Sequence, residues 1–456
     1  MEAEQMHKAE LLAALASTRK RTRELITSLA EHQLEVPYHP GVNPPLWEMG
    51  HAAFFYEVFV FNLLDGDASF DPSMDDLWDS FHIDHQDRWR RDLFPGLKKT
   101  LAYFDHVYDK MAQRIECEPL TDCELYLYRY AIFHQNMHIE SLVWCRQTVG
   151  YEPPPGADFG RPAPGEKQPG SLPTDTIVPA GDWLIGMPGD SDQYAAGDFA
   201  FDAEKPRYAV NLSEFSISRY LVSNREFMAF VEDSGYEKPD LWSFGGQKWL
   251  RTETDVALAQ CLAEPIRQAP KHPLYWRHYE GQWQERLFDQ WQILNPDAPV
   301  THISYWEAEA YCCWAGRRLP TEQEWEVAAL GNRKGEAFRR FPWGNEQPTA
   351  KHADMNASGM AQNPVIDYPE GASPFGCRQM IGTVWEWTSS QFLPYDGFRT
   401  DMYPFMSTLQ FGDHKVSRGG SCATSSSLIR GTYRQAYLPQ RNDVFTGFRT
   451  CAVAGS

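Results

Sequence analysis

The chain has 456 residues, with 42 Lys and Arg against 62 Asp and Glu, for a formal net charge of −20. That balance argues against nucleic acids and anionic membrane surfaces as partners, since both are held by clustered cations. At 42% hydrophobic and 14% aromatic residues the chain can build real cores, which excludes general disorder, and its length calls for two or three compact units.

The opening stretch, MEAEQMHKAELLAALAS, starts acidic and reads as an amphipathic helix rather than a signal peptide. No apolar run approaches the length of a membrane span, so the expected compartment is the cytoplasm. Leu11, Leu12, Leu15, Thr18, Thr22, Leu25, Ile26 and Leu29 recur at roughly helical spacing. A second helix is predicted from Pro45 through LWEMGHAAFFYEVFVFNLL, proline being favoured in a first turn. A third is predicted over about 97–116 and a fourth over about 121–149, which together predict a four-helix bundle across residues 1–150.

The fourth helix contains AIFHQNMHIESLVW, which sets His134 and His138 one turn apart on one face. By itself this pair fits two hydrogen-bonded core histidines as well as two metal ligands. His51, in WEMGHAAFF on the second helix, adds a third imidazole, and bundle interiors gather ligands from facing helices. Glu140 lies two residues past His138, off the ligand face, and reads as an outer carboxylate or a helix-surface one.

Residues 151–177 form a proline-rich linker, with seven prolines between 153 and 173. Beyond it, over 178–456, the texture changes to short aromatic segments punctuated by Gly and Pro, predicting an irregular α+β unit with helices near 224–233 and 305–331. The paired acids Glu322, Glu324 and Glu326 in PTEQEWE fit a helix start after Thr321. Trp385 and Trp387 read as core. The nine cysteines lack zinc spacing, and Cys422, with no evident base beside it, reads as a packing residue.

The ordered motifs RLPTEQEWEVAA, FPWGN, GTVWEWTSS, RGGS and GFR are similar to the formylglycine-generating-enzyme-like (sulfatase-modifying) fold, of the C-type-lectin-like kind, from about 178 to 453. The cysteine pair that formylglycine synthesis needs after Gly-Gly-Ser is missing, since GGSCATSSSLIRGTY holds Cys422 alone. One His on the second helix followed by HxxxHxE on the fourth resembles the DinB-like bundle of the ergothioneine-type sulfoxide synthases, a family that fuses this bundle to the same second fold. The resemblance spans nearly the whole chain and implies that His51, His134 and His138 are ligands of a non-haem Fe(II). It further implies an O2-dependent enzyme that bonds a chalcogen donor to imidazole C2 of hercynine, at a site where the two domains meet. In that family a tyrosine of the C-terminal domain controls the outcome, and alignment nominates Tyr403 in DMYPFM.

The donor side departs from the ergothioneine pattern. Arginines between helices two and three clamp γ-glutamylcysteine in relatives, and Arg88, Arg90 and Arg91 of HQDRWRRDLF stand at that place; a solvated basic patch is the plain alternative. Where relatives carry Asn-Trp-Asp, this chain has Gln435, Ala436 and Tyr437, and a glutamine contacting hercynine is replaced by Met137. Losing an acid and gaining Tyr, Gln and room suits a neutral hydroxyl-rich donor. The pattern resembles the selenoneine-synthase branch, which takes a selenosugar. An ergothioneine sulfoxide synthase using γ-glutamylcysteine or cysteine is the alternative, and a metal-dependent thiol transferase or a non-catalytic ligand-binding protein is a remote one.

Overall fold

The computed structural model describes residues 2–158, 175–187, 199–252 and 269–453. Most of the proline-rich stretch therefore lies outside the described residues, as does Cys261. The described residues divide into two compact units: one holds those up to Gly156 together with 199–201, and the other holds the remaining described ones.

In the first unit, α1 (Glu2–Thr27), α2 (Pro45–Tyr56), α4 (Leu97–Cys117) and α5 (Asp122–Val149) form the bundle, with a single-turn α3 (Asp75–Trp78) between α2 and α4. Proline at the first position opens α2. Thr121 and Glu124 form a capping box that starts α5, and Gly150 in a left-handed conformation (φ 72°) ends it. The second helix predicted from the sequence is not uniform: after Tyr56 it continues as a π-helical run, Glu57–Asp65. Wider turns of this kind are rare and mark functional places in helices. Residues 199–201 also belong to this unit: Phe199 stacks on Tyr126 and meets Phe133 edge-on, and Phe201 meets Tyr130 edge-on.

The second unit is the expected α+β fold. Its strands are β1 (Asp175–Val178), β2 (Gly181–Ile185), β3 (Tyr208–Leu212), β4 (Phe215–Ser218), β5 (Trp276–Tyr279), β6 (Gln282–Leu287), β7 (Gln290–Ile293), β8 (Arg317–Arg318), β9 (Trp385–Gln391), β10 (Lys415–Arg418), β11 (Arg434–Tyr437), β12 (Thr446–Gly447) and β13 (Cys451–Ala452). Two four-stranded sheets, β1-β4-β13-β8 and β11-β10-β9-β12, accompany the β2-β3 hairpin and the β5-β6-β7 meander. Among the described residues four α-helices attend them: α6 (Asn224–Glu232), α7 (Phe244–Thr252), α8 (Tyr305–Trp314) and α9 (Glu322–Leu330).

Two expectations need correction. The helix predicted near 305–331 is two helices, because Gly316 takes a left-handed turn (φ 64°) and Arg317–Arg318 pair with β13 before Thr321 caps α9. Helix α7 lies outside the two stretches expected to be helical, and its two glycines are poor helix formers. Gly245 is needed there because a Cβ would lie 2.3 Å from the Trp306 ring.

The sequence motifs are tied together by buried ion pairs. Arg418 of RGGS pairs with Glu326, Arg434 with Glu322, Arg430 with Glu204, and Arg449 of GFR with Glu386 of GTVWEWTSS. Glu324 closes the capping box with Thr321. The three acids of PTEQEWE are thus structural. Trp385, Trp387 and Cys422 are fully buried, and the backbone of Cys422 bonds Thr383 and Ala357, consistent with packing. The described cysteines are free thiols. No helix among the described residues is long and apolar enough to cross a membrane.

Candidate metal centre

Inside the bundle, α2 contributes His51 and α5 contributes His134 and His138, with one nitrogen from each ring all within 4.8 Å of one another. His134 and His138 meet Nε2 to Nε2 at 3.1 Å. Nitrogens occupying adjacent positions on one transition-metal ion stand about 3 Å apart, given bonds of about 2.1 Å. The ring centroids of His51 lie 5.3 Å from His134 and 4.8 Å from His138. The residues present fit a three-imidazole metal site.

The outer nitrogens say which lone pairs face inward. His51 Nδ1 lies 2.7 Å from the Trp78 carbonyl, which only accepts, so Nδ1 carries the hydrogen and Nε2 keeps its lone pair. His138 Nδ1 meets the Glu48 carboxylate, which fixes the same tautomer. Trp47 stacks on His51 with centroids 4.7 Å apart, and Phe55 stacks on His134 at 3.8 Å, so the rings cannot swing.

These supports come from residues that carry no ligand signature in the sequence. The end of α3 leaves carbonyls without helical partners; that of Leu77 takes Trp47 Nε1 at 3.0 Å and that of Trp78 takes His51. Gly50 makes room for this, since a Cβ there would lie 2.4 Å from the Trp78 ring. Glu48 also accepts from Asn43 Nδ2 at 2.8 Å and Ser141 Oγ at 2.6 Å. The missed signal was an acid one turn before a histidine on the same face of a nearly all-apolar helix, where an unpaired charge is not tolerated.

Burial opposes ionisation of Glu48, but its electrostatic attraction to the His138 ring and the hydrogen bonds from His138, Ser141 and Asn43 outweigh it and hold the carboxyl at about 2. Burial, reinforced by the nearby His138, pushes His51 down to about 3, and burial likewise pushes His134 well below the usual imidazole range. His51 and His134 are therefore kept neutral, the form that binds metal. Glu140 is buried, not on the helix surface, and is not one of the clustered groups.

Two predictions arise here. Glu48→Gln should weaken metal binding by about 10- to 100-fold while the fold persists, as removal of a ligand's outer partner does elsewhere; a Co(II) titration checks it, and unchanged affinity would refute the role. Second, the folded values of His51 and Glu48 lie below the unfolded ones, so the unfolded chain binds more protons and stability falls with falling pH. The His51 loss runs from about 6.5 down to 3 and that of Glu48 from about 4.5 down to 2. Metal-free protein should lose about 2 kcal/mol through His51 alone between pH 7 and 5. Urea midpoints measure this, and His51→Gln should flatten that part of the curve.

The remaining candidates are not members of the three-histidine cluster. Arg88 is half-buried against Trp47 and donates to Asn43 at 2.8 Å, while Arg90 and Arg91 are exposed and pair with Asp92 and Glu35. Met137 is half-buried on α5 beside His138. Tyr403, Gln435 and Tyr437 belong to the second unit. Tyr403 is buried at the start of a short turn, where its carbonyl accepts from Met406 N at 3.1 Å. Gln435 and Tyr437 lie on β11, with the Tyr437 ring buried against Trp385 and Trp387.

Comparison with known proteins agrees with both units. The DinB superfamily matches residues 14–144, and the sulfatase-modifying factor enzyme 1-like domain matches 160–454. Hercynine oxygenase of Mycolicibacterium smegmatis is 32% identical over 444 residues, covering 95% of this chain and 96% of its own. The chain belongs to the hercynine oxygenase family. Hercynine oxygenase of Mycobacterium tuberculosis is 30% identical over 96% of this chain and 98% of its own length. Formylglycine-generating enzyme of Bos taurus is 32% identical over 64% of this chain and 76% of its own. Membership in the hercynine oxygenase family makes the chain an oxygenase-type enzyme built from a DinB-like bundle and a sulfatase-modifying-type domain.

Proposed function

We propose that this enzyme uses Fe(II) and O2 to bond a chalcogen donor to imidazole C2 of hercynine, and that the donor is a selenosugar. The reading is carried by the rings of His51, His134 and His138, one nitrogen of each lying within 4.8 Å of the others, in a chain 32% identical to a hercynine oxygenase along 95% of its length. His51, His134 and His138 hold the ion, which supplies open positions and the electron chemistry that oxygen activation requires. Glu48 and the Trp78 carbonyl keep the rings turned inward, and the apolar walls formed by Phe55 and Trp47 keep water away from them.

The choice of donor rests on the second unit and on the arginines. Gln435 and Tyr437 offer neutral hydrogen-bonding groups on β11 and no carboxylate, which favours a sugar over an ammonium-bearing thiol. Arg88, Arg90 and Arg91 each have an acceptor within the bundle unit already. Exposed pairs such as those of Arg90 and Arg91 are worth only about 0–1 kcal/mol and exchange easily, so clamping of γ-glutamylcysteine stays the second reading. Tyr403 is the proposed proton donor and Met137 the proposed wall against hercynine, both by resemblance.

The test is anaerobic loading with Fe(II), then O2 and hercynine with a 1-seleno-N-acetylhexosamine, γ-glutamylcysteine or cysteine, with products read by mass spectrometry. A hercynine–selenium adduct from the selenosugar alone is expected. Turnover with the cysteine donors instead returns the enzyme to ergothioneine sulfoxide synthesis, and no adduct from any donor overturns the class.

A further inference from the structure

Two short chains of contacts run from the Arg88 guanidinium to two different rings of the imidazole trio. In the first, Arg88 Nη1 donates to Asn43 Oδ1 at 2.8 Å, Asn43 Nδ2 donates to Glu48 Oε1 at 2.8 Å, and Glu48 Oε2 takes His138 Nδ1. In the second, the guanidinium carbon stands 4.0 Å from the centroid of the Trp47 ring, and Trp47 lies parallel to His51 within 9°.

Arg88 is placed for this by its own turn, His85–Trp89. His85 Nε2 donates to the Val42 carbonyl at 2.9 Å, and Trp89 Nε1 donates to the Val36 carbonyl at 2.8 Å. Tyr38 meets both of those rings edge-on, at 5.7 and 5.0 Å. The arginine is therefore anchored before any substrate arrives.

The first chain has a direction. An amide presents an acceptor on one side and donors on the other, so a guanidinium on Asn43 Oδ1 obliges the NH2 group to face Glu48. With the amide reversed, a carbonyl oxygen would face the carboxylate oxygen, and Glu48 would lose one of the partners that hold it against His138. The second chain acts on the other helix: a cation over one face of an indole is attracted to it and restrains the ring, here the ring packed on His51.

We propose that Arg88 is a positioning residue for the imidazole trio, acting on His138 through Asn43 and Glu48 and on His51 through Trp47, whether or not a chalcogen donor is present. The proposal rests on the trio holding a metal, and it assigns Arg88 a role separate from any grip on donor carboxylates.

The test uses the full chain and Co(II) alone, with no hercynine or donor, reading affinity by titration and ligand geometry from the visible absorption of the bound ion. The wild type should bind, and His134→Ala should not. Arg88→Gln should weaken binding by about 10- to 100-fold and change the spectrum. Asn43→Ala should cost a similar factor, and the double variant no more than the larger single loss, since both lie on one path. Arg88→Lys, a milder change that keeps the cation but not the planar fork, should show the same spectral change with a smaller loss, and it stands in if Arg88→Gln does not fold.

Wild-type affinity and spectrum in the Arg88 variants would overturn the proposal while leaving the metal site intact. Additive losses would overturn the path through Asn43. If the wild type bound no Co(II), or bound it no better than His134→Ala, the metal reading would fall and this proposal with it.

Discussion

His134→Ala is expected to abolish Fe(II) binding and to cut turnover at least about a thousandfold, or ~4 kcal/mol of barrier. His134 Nε2 lies 3.1 Å from His138 Nε2, so its loss leaves two imidazoles from different helices and no third nitrogen to complete the face. The helix itself should survive, because alanine is the best helix former and α5 is held by apolar and aromatic residues along its length. Iron content by colorimetric assay, product formation and far-ultraviolet circular dichroism together check this. Retained iron and turnover in a folded variant would remove these histidines from the reaction.

The second large effect is on stability. Glu204→Ala should destabilise the α+β unit by about 3–5 kcal/mol, since it strands a fully buried guanidinium. Arg430 and Glu204 are both 0% exposed and meet through two guanidinium nitrogens, and Glu204 also accepts from Thr432 Oγ1 at 2.7 Å. Urea unfolding followed by tryptophan fluorescence measures it. A loss under about 1 kcal/mol, the scale of a single ordinary hydrogen bond, would mean that water reaches the site and solvates Arg430.

Much of this molecule is legible in its sequence because periodicity and end signals are local. Pro45, Thr121 with Glu124, and Gly150 state where bundle helices start and stop, and each does so within one turn of the chain. The HxxxH spacing is local too, and His51 stands out as an imidazole in an apolar helix. What stayed hidden depends on the fold. Nothing near Trp78 announces that its carbonyl will meet His51, 27 residues earlier. Glu48 looks like any first-turn acid on α2, and only the arrival of α5 turns it into a partner for His138 and Ser141. The break inside 305–331 was in fact legible, for Gly316 and Pro320 bracket the polar GRRLP; only the pairing of Arg317–Arg318 with a strand more than 130 residues later was hidden. The arginines of the second unit read as surface charges until their glutamates, as much as 226 residues away, are seen beside them.

The packing of 199–201 on α5 bears on how such a protein is dissected or split. Phe199 and Phe201 follow the linker in sequence, yet their rings lie on Tyr126, Tyr130 and Phe133 of the bundle. A gene cut at the obvious proline-rich seam would leave those three rings bare on the helical fragment. Buried aromatics of this size cover about 150–250 Å² each, and such an uncovered stripe makes a fragment sticky. The helical half should therefore come out of a bacterial lysate as inclusion bodies or heterogeneous multimers when it ends near residue 156. Extending the fragment through Phe201 would cover the rings but carry β1 and β2 without their partners β4 and β3, so the two halves have no clean cutting point along the chain.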